Sequence, residues 1–599
     1  MLVIVSGFAG TDDLRAQHFD LKTSDAGFGS AWDGTGVAVA DYDMDGDLDV
    51  YFVSYKPYDQ FDPRSWNRLY RNNGDKTFSE VGLEAGVRGE GLSNSPLRVF
   101  GNKFGASWVD YDSDGDPDLF LTSIGLEALF RNNGDGTFED VIEQSGLQIQ
   151  DADADLTENS GSLWWDYDLD GDLDVYVTSW SGKNRHYMNN GDGTFEDLSV
   201  VSGLDVDVRT WMGLTNDIDR DGRLDLYLVN DFGPNLLFLQ QEDGSWEESS
   251  EIFEIGNKKE SMGATIGDAN NDGFFDIFVT NNSIHTSHLN SLYLAAPSPP
   301  FAEEGVVLGI GTSAWGWGTE FFDADHDGDL DLYAVNGSFL EDGTPNRFFT
   351  NRLIEDGVFS FEDRSESSGT NGTAESHGLV VFDYDNDGDL DMLVSTWRSP
   401  LYFYENVSFV GNWLKVNLIG VSSNLNGVGA RVRASTEQAV YHRLNDGIDF
   451  LGQSIQPIHF GLGDAITVDE LLIEWPSGSR EIFLDVAVNQ TFEVIEGSGI
   501  AVSIQESLPI RNILSSTAFP NPFSNTFHLK MESGSSGPFE LEVFSILGRR
   551  LLSQDITLIA GQESKLDIDL STVAAGVYMY SLRGADGGRV ESGTIVKTR

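Results

Sequence analysis

The chain has 599 residues, of which 98 are acidic and 36 basic, so its formal net charge is −62, and it contains no cysteine. This balance excludes nucleic-acid binding through a basic face, and the absence of cysteine excludes disulfides, thiolate nucleophiles and cysteine-ligated metals. No apolar run reaches the ~18 residues of a membrane-spanning helix, while 38 Phe, 18 Tyr and 13 Trp supply large hydrophobic cores. We therefore expect a folded multi-domain protein with no nucleic-acid partner and no membrane-spanning segment.

The first residues of the chain contain an apolar stretch, Met1 to Ala9, with no basic residue ahead of it and with Asp12 and Asp13 soon after it. Exported proteins begin with a basic and then an apolar leader. We interpret residues 1–18 as a degenerate or truncated leader.

The next segment, residues 19–405, contains a nine-residue pattern, Asp-x-Asp-x-Asp-Gly-x-x-Asp, that recurs seven times, once with Asn at position 3. The copies are separated by 51 to 69 residues, which indicates one supersecondary unit for each copy. Residues 1–405 hold 77 of the 98 acidic residues, so the negative charge belongs chiefly to this repeated segment. The copies, called loops 1 to 7 below, begin at Asp41, Asp110, Asp166, Asp217, Asp268, Asp323 and Asp383.

The spacing within each loop suits a cation with oxygen ligands. Carboxylates at positions 1, 3 and 5 face one concavity when the chain turns at the Gly of position 6, position 7 offers its backbone carbonyl, and position 9 returns a last carboxylate. This donor set favours Ca²⁺ over Mg²⁺, and we predict up to seven structural Ca²⁺ ions. The alternative is a set of solvated Asp-rich turns. This is the weaker interpretation, because the same spacing recurs in seven copies. The predicted metal residues are Asp41, Asp43, Asp45, Asp47 and Asp49; Asp110, Asp112, Asp114, Asp116 and Asp118; Asp166, Asp168, Asp170, Asp172 and Asp174; Asp217, Asp219, Asp221, Arg223 and Asp225; Asp268, Asn270, Asp272, Phe274 and Asp276; Asp323, Asp325, Asp327, Asp329 and Asp331; and Asp383, Asp385, Asp387, Asp389 and Asp391.

The residues around each loop predict strands rather than the helices of an EF-hand. An EF-hand places Glu at position 12, where every copy here has an apolar residue. Apolar runs precede and follow each loop, and Asn-Asn-Gly-Asp turns beginning at Asn72, Asn132 and Asn189 indicate a hairpin between a third and a fourth strand. Four antiparallel strands in each of seven repeats predict an all-β, seven-bladed propeller.

Two further features predict how the ring is built and closed. A Gly precedes the first Asp by five residues in six repeats, and we expect these glycines to relieve crowding between the innermost strands. A fourth-strand signature at Phe19 comes before the first loop, whereas the last repeat ends after three strands near Tyr404. We predict that the segment around Phe19 pairs into the seventh blade.

Residues 406–497 predict a small β-rich domain with strands near residues 414–419, 430–434 and 470–475. Within this domain we interpret Gly427 and Gly429 as a bulge or tight turn. The sequence Gly461-Leu462-Gly463 is interpreted as a turn, because no helix follows it that would bind phosphate. Trp475 to Gly478 is interpreted as the end of a hairpin.

Residues 498–512 are predicted to be a linker to a third domain, residues 513–599. Apolar and polar residues alternate in residues 539–544 and 576–581, which is typical of half-buried strands. We predict a small immunoglobulin-like β-sandwich here.

Several motifs resemble known families. The repeats resemble the FG-GAP/VCBS-type calcium-loop repeats of integrin α-subunit propellers and of the cartilage acidic protein family. Four motifs resemble the ASPIC/UnbV domain that follows the propeller in that family, and they lie at residues 424–433, 452–454, 459–463 and 475–478. Three further motifs resemble the type A sorting domain of the type IX secretion system of Bacteroidota, and they lie at residues 519–523, 543–549 and 570–578. This last resemblance implies export by that machinery, to the medium or to the outer surface of a Gram-negative cell.

The sequence contains little that indicates an enzyme. His285 and His288 form a His-x-x-His in a polar loop without the Glu-bearing helix of a zinc site. Two tryptophan pairs, Trp164-Trp165 and the alternating Trp315 and Trp317, are more typical of a core than of a sugar-stacking platform. We therefore expect a secreted or surface calcium-binding propeller that binds an extracellular protein or glycan without catalysis. The alternative is a polysaccharide hydrolase or lyase on the same scaffold.

Overall fold

The computed structural model describes residues 17–28, 31–89, 103–125, 127–147, 157–282, 288–311, 314–337, 343–408 and 411–501. In the C-terminal segment it describes residues 515–519, 523–532, 537–545, 550–558, 563–571, 573, 576–584 and 589–598. The predicted leader lies outside these residues except for its last two, Gln17 and His18. The chain divides into two compact units, residues 1–502 and residues 503–599.

The protein is all-β, and strands of residues 19–406 form groups of four antiparallel strands. The first strand is β1 (Phe19–Leu21). Group 1 contains β2 (Ala31–Ala40), β3 (Asp49–Ser54), β4 (Arg68–Asn72) and β5 (Phe78–Glu80). Group 2 contains β6 (Lys103–Val109), β7 (Asp118–Ser123), β8 (Ala128–Asn132) and β9 (Phe138–Asp140). Group 3 contains β10 (Glu158–Trp165), β11 (Asp174–Ser181), β12 (Arg185–Asn189) and β13 (Phe195–Asp197).

The remaining groups repeat this order. Group 4 contains β14 (Arg209–Asn216), β15 (Asp225–Asp231), β16 (Leu236–Gln240) and β17 (Trp246–Glu248). Group 5 contains β18 (Ser261–Gly267), β19 (Asp276–Asn281), β20 (Ser291–Leu294) and β21 (Ala302–Glu303). Group 6 contains β22 (Gly316–Phe322), β23 (Asp331–Asn336), β24 (Arg347–Asn351) and β25 (Phe361–Asp363). Group 7 contains β26 (Glu375–Phe382), β27 (Asp391–Pro400), β28 (Tyr402–Asn406) and, as its fourth strand, β1.

Each Asp-rich loop joins the first two strands of its group directly, as the sequence predicted. Within the described residues, the α-helices are five single turns away from these loops, and none is long or apolar enough to cross a membrane. They are α1 (Gly82–Ala85), α2 (Ile142–Ser145), α3 (Ser199–Ser202), α4 (Ser250–Phe253) and α5 (Leu353–Asp356).

The first strands of successive groups lie side by side, and the glycines before the loops allow this. A Cβ on Gly263 would lie 2.3 Å from the carbonyl oxygen of Trp317 in the next group, and one on Gly378 would lie 2.3 Å from that of Thr35. The second contact brings group 7 against group 1. The prediction that these glycines relieve crowding is confirmed, because a side chain there would strike the neighbouring backbone.

Group 7 is completed by the start of the chain. Strand β1 pairs antiparallel with β28, with Phe19 opposite Asn406, and the end of β27 pairs with the start of β2. The predicted pairing of the segment around Phe19 with the last repeat is therefore confirmed.

The middle segment forms two further sheets. Their strands are β29 (Asn412–Ile419), β30 (Arg431–Ser435), β31 (Val440–Leu444), β32 (Ile448–Asp449), β33 (Gly452–Gln453), β34 (Ile458–Gly463), β35 (Thr467–Glu474), β36 (Arg480–Ala487), β37 (Thr491–Ile495) and β38 (Ile500–Ala501). One sheet has the order β34-β29-β37 and the other β31-β30-β35-β36-β38. The three predicted strands are confirmed with small shifts of their bounds, and β38 occupies the start of the predicted linker.

The glycine-rich positions of this segment behave differently from one another. Gly427 and Gly429 have φ of 63° and 94° in a turn, and residues 475–478 connect β35 to β36, both as predicted. The prediction of a turn at residues 461–463 is wrong, because they lie in β34. A Cβ on Gly461 would lie 2.0 Å from Oδ2 of Asp323, so this glycine permits β34 to pack against loop 6.

A short hairpin of the middle segment enters the array of first strands. This central hairpin, residues 446–456, contains β32 and β33, and β33 pairs in parallel with β6. At its tip, Phe450 and Leu451 are buried in one cluster with side chains of groups 2, 4, 6 and 7. A Cβ on Gly105 would lie 1.9 Å from the carbonyl oxygen of Leu451, so the hairpin fills space that glycines leave open.

The C-terminal unit contains β39 (Ser515–Phe519), β40 (Thr526–Glu532), β41 (Gly537–Ser545), β42 (Arg550–Leu558), β43 (Glu563–Asp569), β44 (Gly576–Gly584) and β45 (Arg589–Lys597). They form two sheets, β39-β40-β43 and β42-β41-β44-β45. Leu541 and Val543 alternate into a core with Leu529 and Ile595, as the alternation of residues 539–544 predicted.

Candidate metal centres

The seven loops share one backbone conformation. The residue at position 4 has positive φ in every loop, as does the Gly at position 6; in loop 1 these are Met44 at 57° and Gly46 at 97°. The sequence predicted the role of the Gly, because a residue without a Cβ adopts positive φ at no steric cost. Position 4 was missed, since its side chain varies from Leu169 to Arg220 and carries no pattern.

The carboxylate at position 1 organises the turn of each loop. Asp41 accepts hydrogen bonds from the backbone N–H of Asp45 at 3.0 Å and of Gly46 at 2.8 Å. The bond from the N–H of position 6 recurs in all seven loops. The carboxylate at position 5 accepts a hydrogen bond from the backbone N–H of position 7; in loop 1, Oδ1 of Asp45 lies 3.0 Å from the nitrogen of Asp47. These bonds fix the first carboxylates of a loop around one point.

The loops bring together several of the predicted ligands. In at least five of them, three Asp side chains each offer an oxygen, and the three oxygens lie within 4.8 Å of one another. The groups are Asp41, Asp43 and Asp45; Asp110, Asp112 and Asp118; Asp166, Asp168 and Asp174; Asp217, Asp219 and Asp225; and Asp323, Asp325 and Asp327. Three carboxylate oxygens at this spacing could be shared by one hard divalent cation such as Ca²⁺, as part of the six to eight oxygen ligands that it takes.

Buried carboxylate oxygens in five loops fit a cation, because they accept no hydrogen bond from the residues that the structure describes. They belong to positions 1 and 3: the Oδ1 atoms of Asp43, Asp112, Asp217, Asp323 and Asp383. A buried carboxylate oxygen without a donor costs free energy, which a bound cation would recover.

Burial gives the loop carboxylates a strong preference for a compensating charge. Burial raises the pKa of Asp118 to about 9 and that of Asp174 to about 8. In loop 6, whose nine residues are all buried, burial and then the neighbouring Asp325 raise the pKa of Asp327 to about 11. Carboxylates that share a buried concavity resist ionisation together unless a cation joins them.

Position 7 lies against the turn between the third and fourth strands. A Cβ on Gly74 would lie 2.8 Å from Oδ2 of Asp47, and a Cβ on Gly134 or Gly191 would lie 2.8 or 2.6 Å from the position-7 Asp of loop 2 or 3. The glycine of each Asn-Asn-Gly-Asp turn therefore makes room for this carboxylate. In loop 4 the residue at position 7 is Arg223, which forms an ion pair with Asp221 of the same loop. The predicted use of the position-7 carbonyl stays a prediction.

The Asp at position 9 has a structural task that the sequence did not reveal. It is the first residue of the second strand and is fully buried in every repeat. Asp118 accepts a hydrogen bond at Oδ1 from the N–H of Asn132, 2.7 Å away, and at Oδ2 from the N–H of Tyr111, 3.3 Å away. The corresponding bonds recur in the other loops, so this Asp ties the loop to the end of the third strand.

The residue at the end of the third strand connects neighbouring groups. Asn132 of group 2 donates through Nδ2 to the carbonyl of Tyr42 in loop 1, 2.8 Å away. Asn72 of group 1 donates likewise to Tyr384 in loop 7, 2.7 Å away. The same contact is made by Asn189, Gln240, Asn351 and Asn406. Asn at residues 72, 132 and 189 was interpreted only as part of a turn, and its recurrence in other repeats was the available signal.

We expect Asn132→Ala to destabilise residues 17–501 by about 1–3 kcal/mol, because it leaves the carbonyls of Tyr42 and Pro117 without their buried donor. Urea denaturation followed by tryptophan fluorescence measures this. Asn133→Ala is the matched control, since the exposed Asn133 bonds only within its own turn, to Thr137. Equal midpoints for both variants would contradict the assignment.

Basic side chains of the middle segment reach the position-1 carboxylates of three loops. Lys415 Nζ lies 2.6 Å from Oδ2 of Asp383. Arg431 Nη1 lies 3.7 Å from Oδ2 of Asp217, and Arg443 Nη2 lies 4.0 Å from Oδ2 of Asp323. The middle segment therefore packs on the loop face of the repeats through charges of opposite sign.

Other predicted features lie away from these loops. His285 is outside the described residues, and Nδ1 of His288 lies 4.0 Å from a carboxylate oxygen of Glu260. Trp164 and Trp165 are buried in the core, as expected. Trp317 is also buried, whereas Trp315 is half-buried.

Sequence profiles of three families match the chain. The FG-GAP-like repeat matches residues 166–215 and 217–279, the ASPIC and UnbV domain matches residues 420–501, and the secretion system C-terminal sorting domain matches residues 517–597. This chain joins FG-GAP-like repeats, an ASPIC/UnbV domain and a secretion sorting domain. The resemblances predicted from the motifs are confirmed.

Two relatives come from mammals. Cartilage acidic protein 1 of Homo sapiens is 23% identical over 507 residues, which cover 77% of this chain and 71% of the relative. Cartilage acidic protein 1 of Mus musculus is 24% identical over 513 residues, covering 77% and 73%. Among solved structures, an Agrocybe aegerita lectin that recognises non-reducing terminal N-acetylglucosamine has a TM-score of 0.36 and 17% identity. The matched region covers 61% of this chain and 85% of the lectin chain.

The sorting domain determines where the protein acts. Such a domain marks a protein for secretion through the type IX system of Bacteroidota-type bacteria, so the protein is extracellular or on the cell surface. It also implies an interaction with that machinery. The residues that match the ASPIC/UnbV domain contain the central hairpin and two of the basic residues that face the loops, Arg431 and Arg443.

Proposed function

We propose that the protein is a secreted, Ca²⁺-stabilised seven-bladed β-propeller that acts as a non-catalytic binding or adhesion module. The observation that carries this proposal is the set of loops with one backbone conformation, whose carboxylates converge around points with buried, unpaired oxygens. The four-stranded groups are the blades, β1 completes the seventh, and the C-terminal unit is an immunoglobulin-like sandwich that serves export.

In this proposal Ca²⁺ is a structural ion. Held by positions 1, 3 and 5 or 9, it would join the carboxylates that the turn brings together. Each loop is tied through its position-9 Asp to its own third strand and through an Asn or Gln to the next blade in most repeats. A loop that is ordered by Ca²⁺ therefore orders two blades. Extracellular modules bind Ca²⁺ at roughly 10⁻⁴–10⁻³ M, and such sites stay occupied outside a cell.

A glycan and protein array, run together with an assay of reducing ends released from polysaccharides, tests the function. We expect full-length protein with Ca²⁺ to bind an array component and to release no reducing ends. Release of new reducing ends would favour the alternative, a polysaccharide hydrolase or lyase.

A further inference from the structure

The end of the propeller opposite the Asp-rich loops carries a closed circle of aromatic side chains. These residues lie where first strands begin and second strands end, while the loops join the other ends of the same strands. Successive ring centroids are 4.7 to 6.1 Å apart around the whole circle. This aromatic circle consists of Tyr55, Phe104, Trp211, Trp317, His377 and Trp397, in that order.

The circle has a floor and a rim. From below, Phe450 of the central hairpin lies 6.0 Å from Trp317, so the ASPIC/UnbV domain closes the channel on the loop side. At the rim, Trp180 lies 5.9 Å from Trp211 and Trp315 is stacked on Trp317 at 6.1 Å. Tyr55, Trp397 and both rim tryptophans are only half-buried, so aromatic surface remains open to a ligand.

A buried carboxylate lies among these rings. Asp231 is 5% exposed and accepts a hydrogen bond at Oδ2 from the indole N–H of Trp180, 3.0 Å away. Its other oxygen, Oδ1, is buried and accepts no hydrogen bond of good geometry in the described part of the chain. Burial raises the pKa of Asp231 to about 6, and the indole N–H groups of Trp180 and Trp211 act against this rise. A buried acceptor without a donor is costly unless a ligand supplies the donor.

Two arginines lie over rings at this end of the propeller, and their charge disfavours an organic cation as the ligand. The guanidinium of Arg209 lies 4.7 Å from the ring of Trp180 and 5.1 Å from that of Phe232, and Arg398 lies 5.3 Å from the ring of Trp397. A second cation would meet repulsion there. A polyanionic ligand would meet Asp231 and a chain whose net charge is −62.

We propose that the aromatic circle and its rim bind a neutral carbohydrate. The C–H face of a sugar ring packs on an aromatic side chain, while its hydroxyls donate to a carboxylate such as Asp231 and accept from a guanidinium such as Arg209. This inference rests on the proposed binding function, because it assigns the binding face and the ligand class of that module.

Affinity electrophoresis tests the site on the full-length protein with Ca²⁺, in gels that contain laminarin, galactomannan or xyloglucan. We expect at least one of these neutral polysaccharides to retard the protein. Trp180→Ala and Asp231→Asn should each raise the dissociation constant about tenfold. Trp246→Ala is the matched control. Trp246 is half-buried, as Trp180 is, but it lies on β17, the outermost strand of group 4, and is not part of the aromatic circle or its rim. Asp231→Asn keeps an acceptor for Trp180, so it remains informative if Trp180→Ala fails to fold.

The inference is overturned if none of the three polysaccharides retards a protein that still melts in a Ca²⁺-dependent way, or if both variants migrate as the parent does. Retardation by alginate alone, or tryptophan quenching by tetramethylammonium that the variants abolish, would replace it with an anion or cation site. A protein ligand found on the array without any saccharide would overturn this inference and leave the proposed binding function standing. Release of reducing ends would overturn the proposed function itself.

Discussion

Removal of Ca²⁺ with EDTA should lower the melting temperature of residues 17–501 by ~10 °C or more. Free Ca²⁺ at ten times the dissociation constant stabilises each site by about 1.4 kcal/mol, so seven sites contribute about 10 kcal/mol. This equals the whole stability of an ordinary domain. The physical reason is the close group of carboxylates in these loops, fully buried in loop 6, which repel one another when no cation joins them.

Differential scanning calorimetry of the full-length protein measures this effect. The C-terminal unit is an internal control, because the seven Asp-rich loops all lie in residues 41–391. We expect its transition to stay in place, and Ca²⁺ added in excess of EDTA to restore the first transition where Mg²⁺ does not. Superimposable scans with and without EDTA would refute structural Ca²⁺.

Deletion of residues 1–30 should lower the melting temperature of residues 17–501 sharply, because it removes β1, the fourth strand of group 7. Phe19 is 2% exposed and lies 5.7 Å from Phe348, edge to face. Phe28 is fully buried between rings of groups 1 and 7, including Tyr70 at 4.8 Å and Phe403 at 5.4 Å. The deletion therefore opens two cores as well as the pairing of β1 with β28.

A pair of substitutions within β1 separates packing from pairing. Phe19→Ala should cost about 3–5 kcal/mol, as the loss of a buried aromatic side chain does. Leu21→Ala in the same strand should change stability by less than ~0.5 kcal/mol, since Leu21 is 57% exposed. Urea denaturation measures both. A protein that lacks residues 1–30 and still melts at the parent temperature would contradict closure by β1.

Sequence reasoning succeeded where the structure depends on local spacing. The loop from Asp41 to Asp49 and the hairpin turn at Asn72 are each specified within a few residues, so their strands and their order could be predicted. The pairing of β1 could be predicted because its Phe19 signature repeats a pattern that is present in other four-stranded groups.

The contacts between distant residues could not be predicted in this way. Asn132 donates a hydrogen bond to the carbonyl of Tyr42, which lies 90 residues earlier in the chain. Lys415 of the middle segment forms an ion pair with Asp383 of loop 7. The insertion of Phe450 among the first strands depends on the placement of a whole domain. One sequence without its folded neighbours carries no signal for such contacts. The glycine at residue 461 was misinterpreted for this reason, because its close approach to Asp323 is also long-range.

Equilibrium dialysis against CaCl₂, with the bound metal counted for each chain, tests the central claim most directly. We predict a number that approaches seven at saturation, and that falls by one in a variant with Asp166→Ala and Asp168→Ala, which removes two side-chain ligands from loop 3. Fewer than one Ca²⁺ for each chain at saturation, or the same number in this variant, would contradict the account.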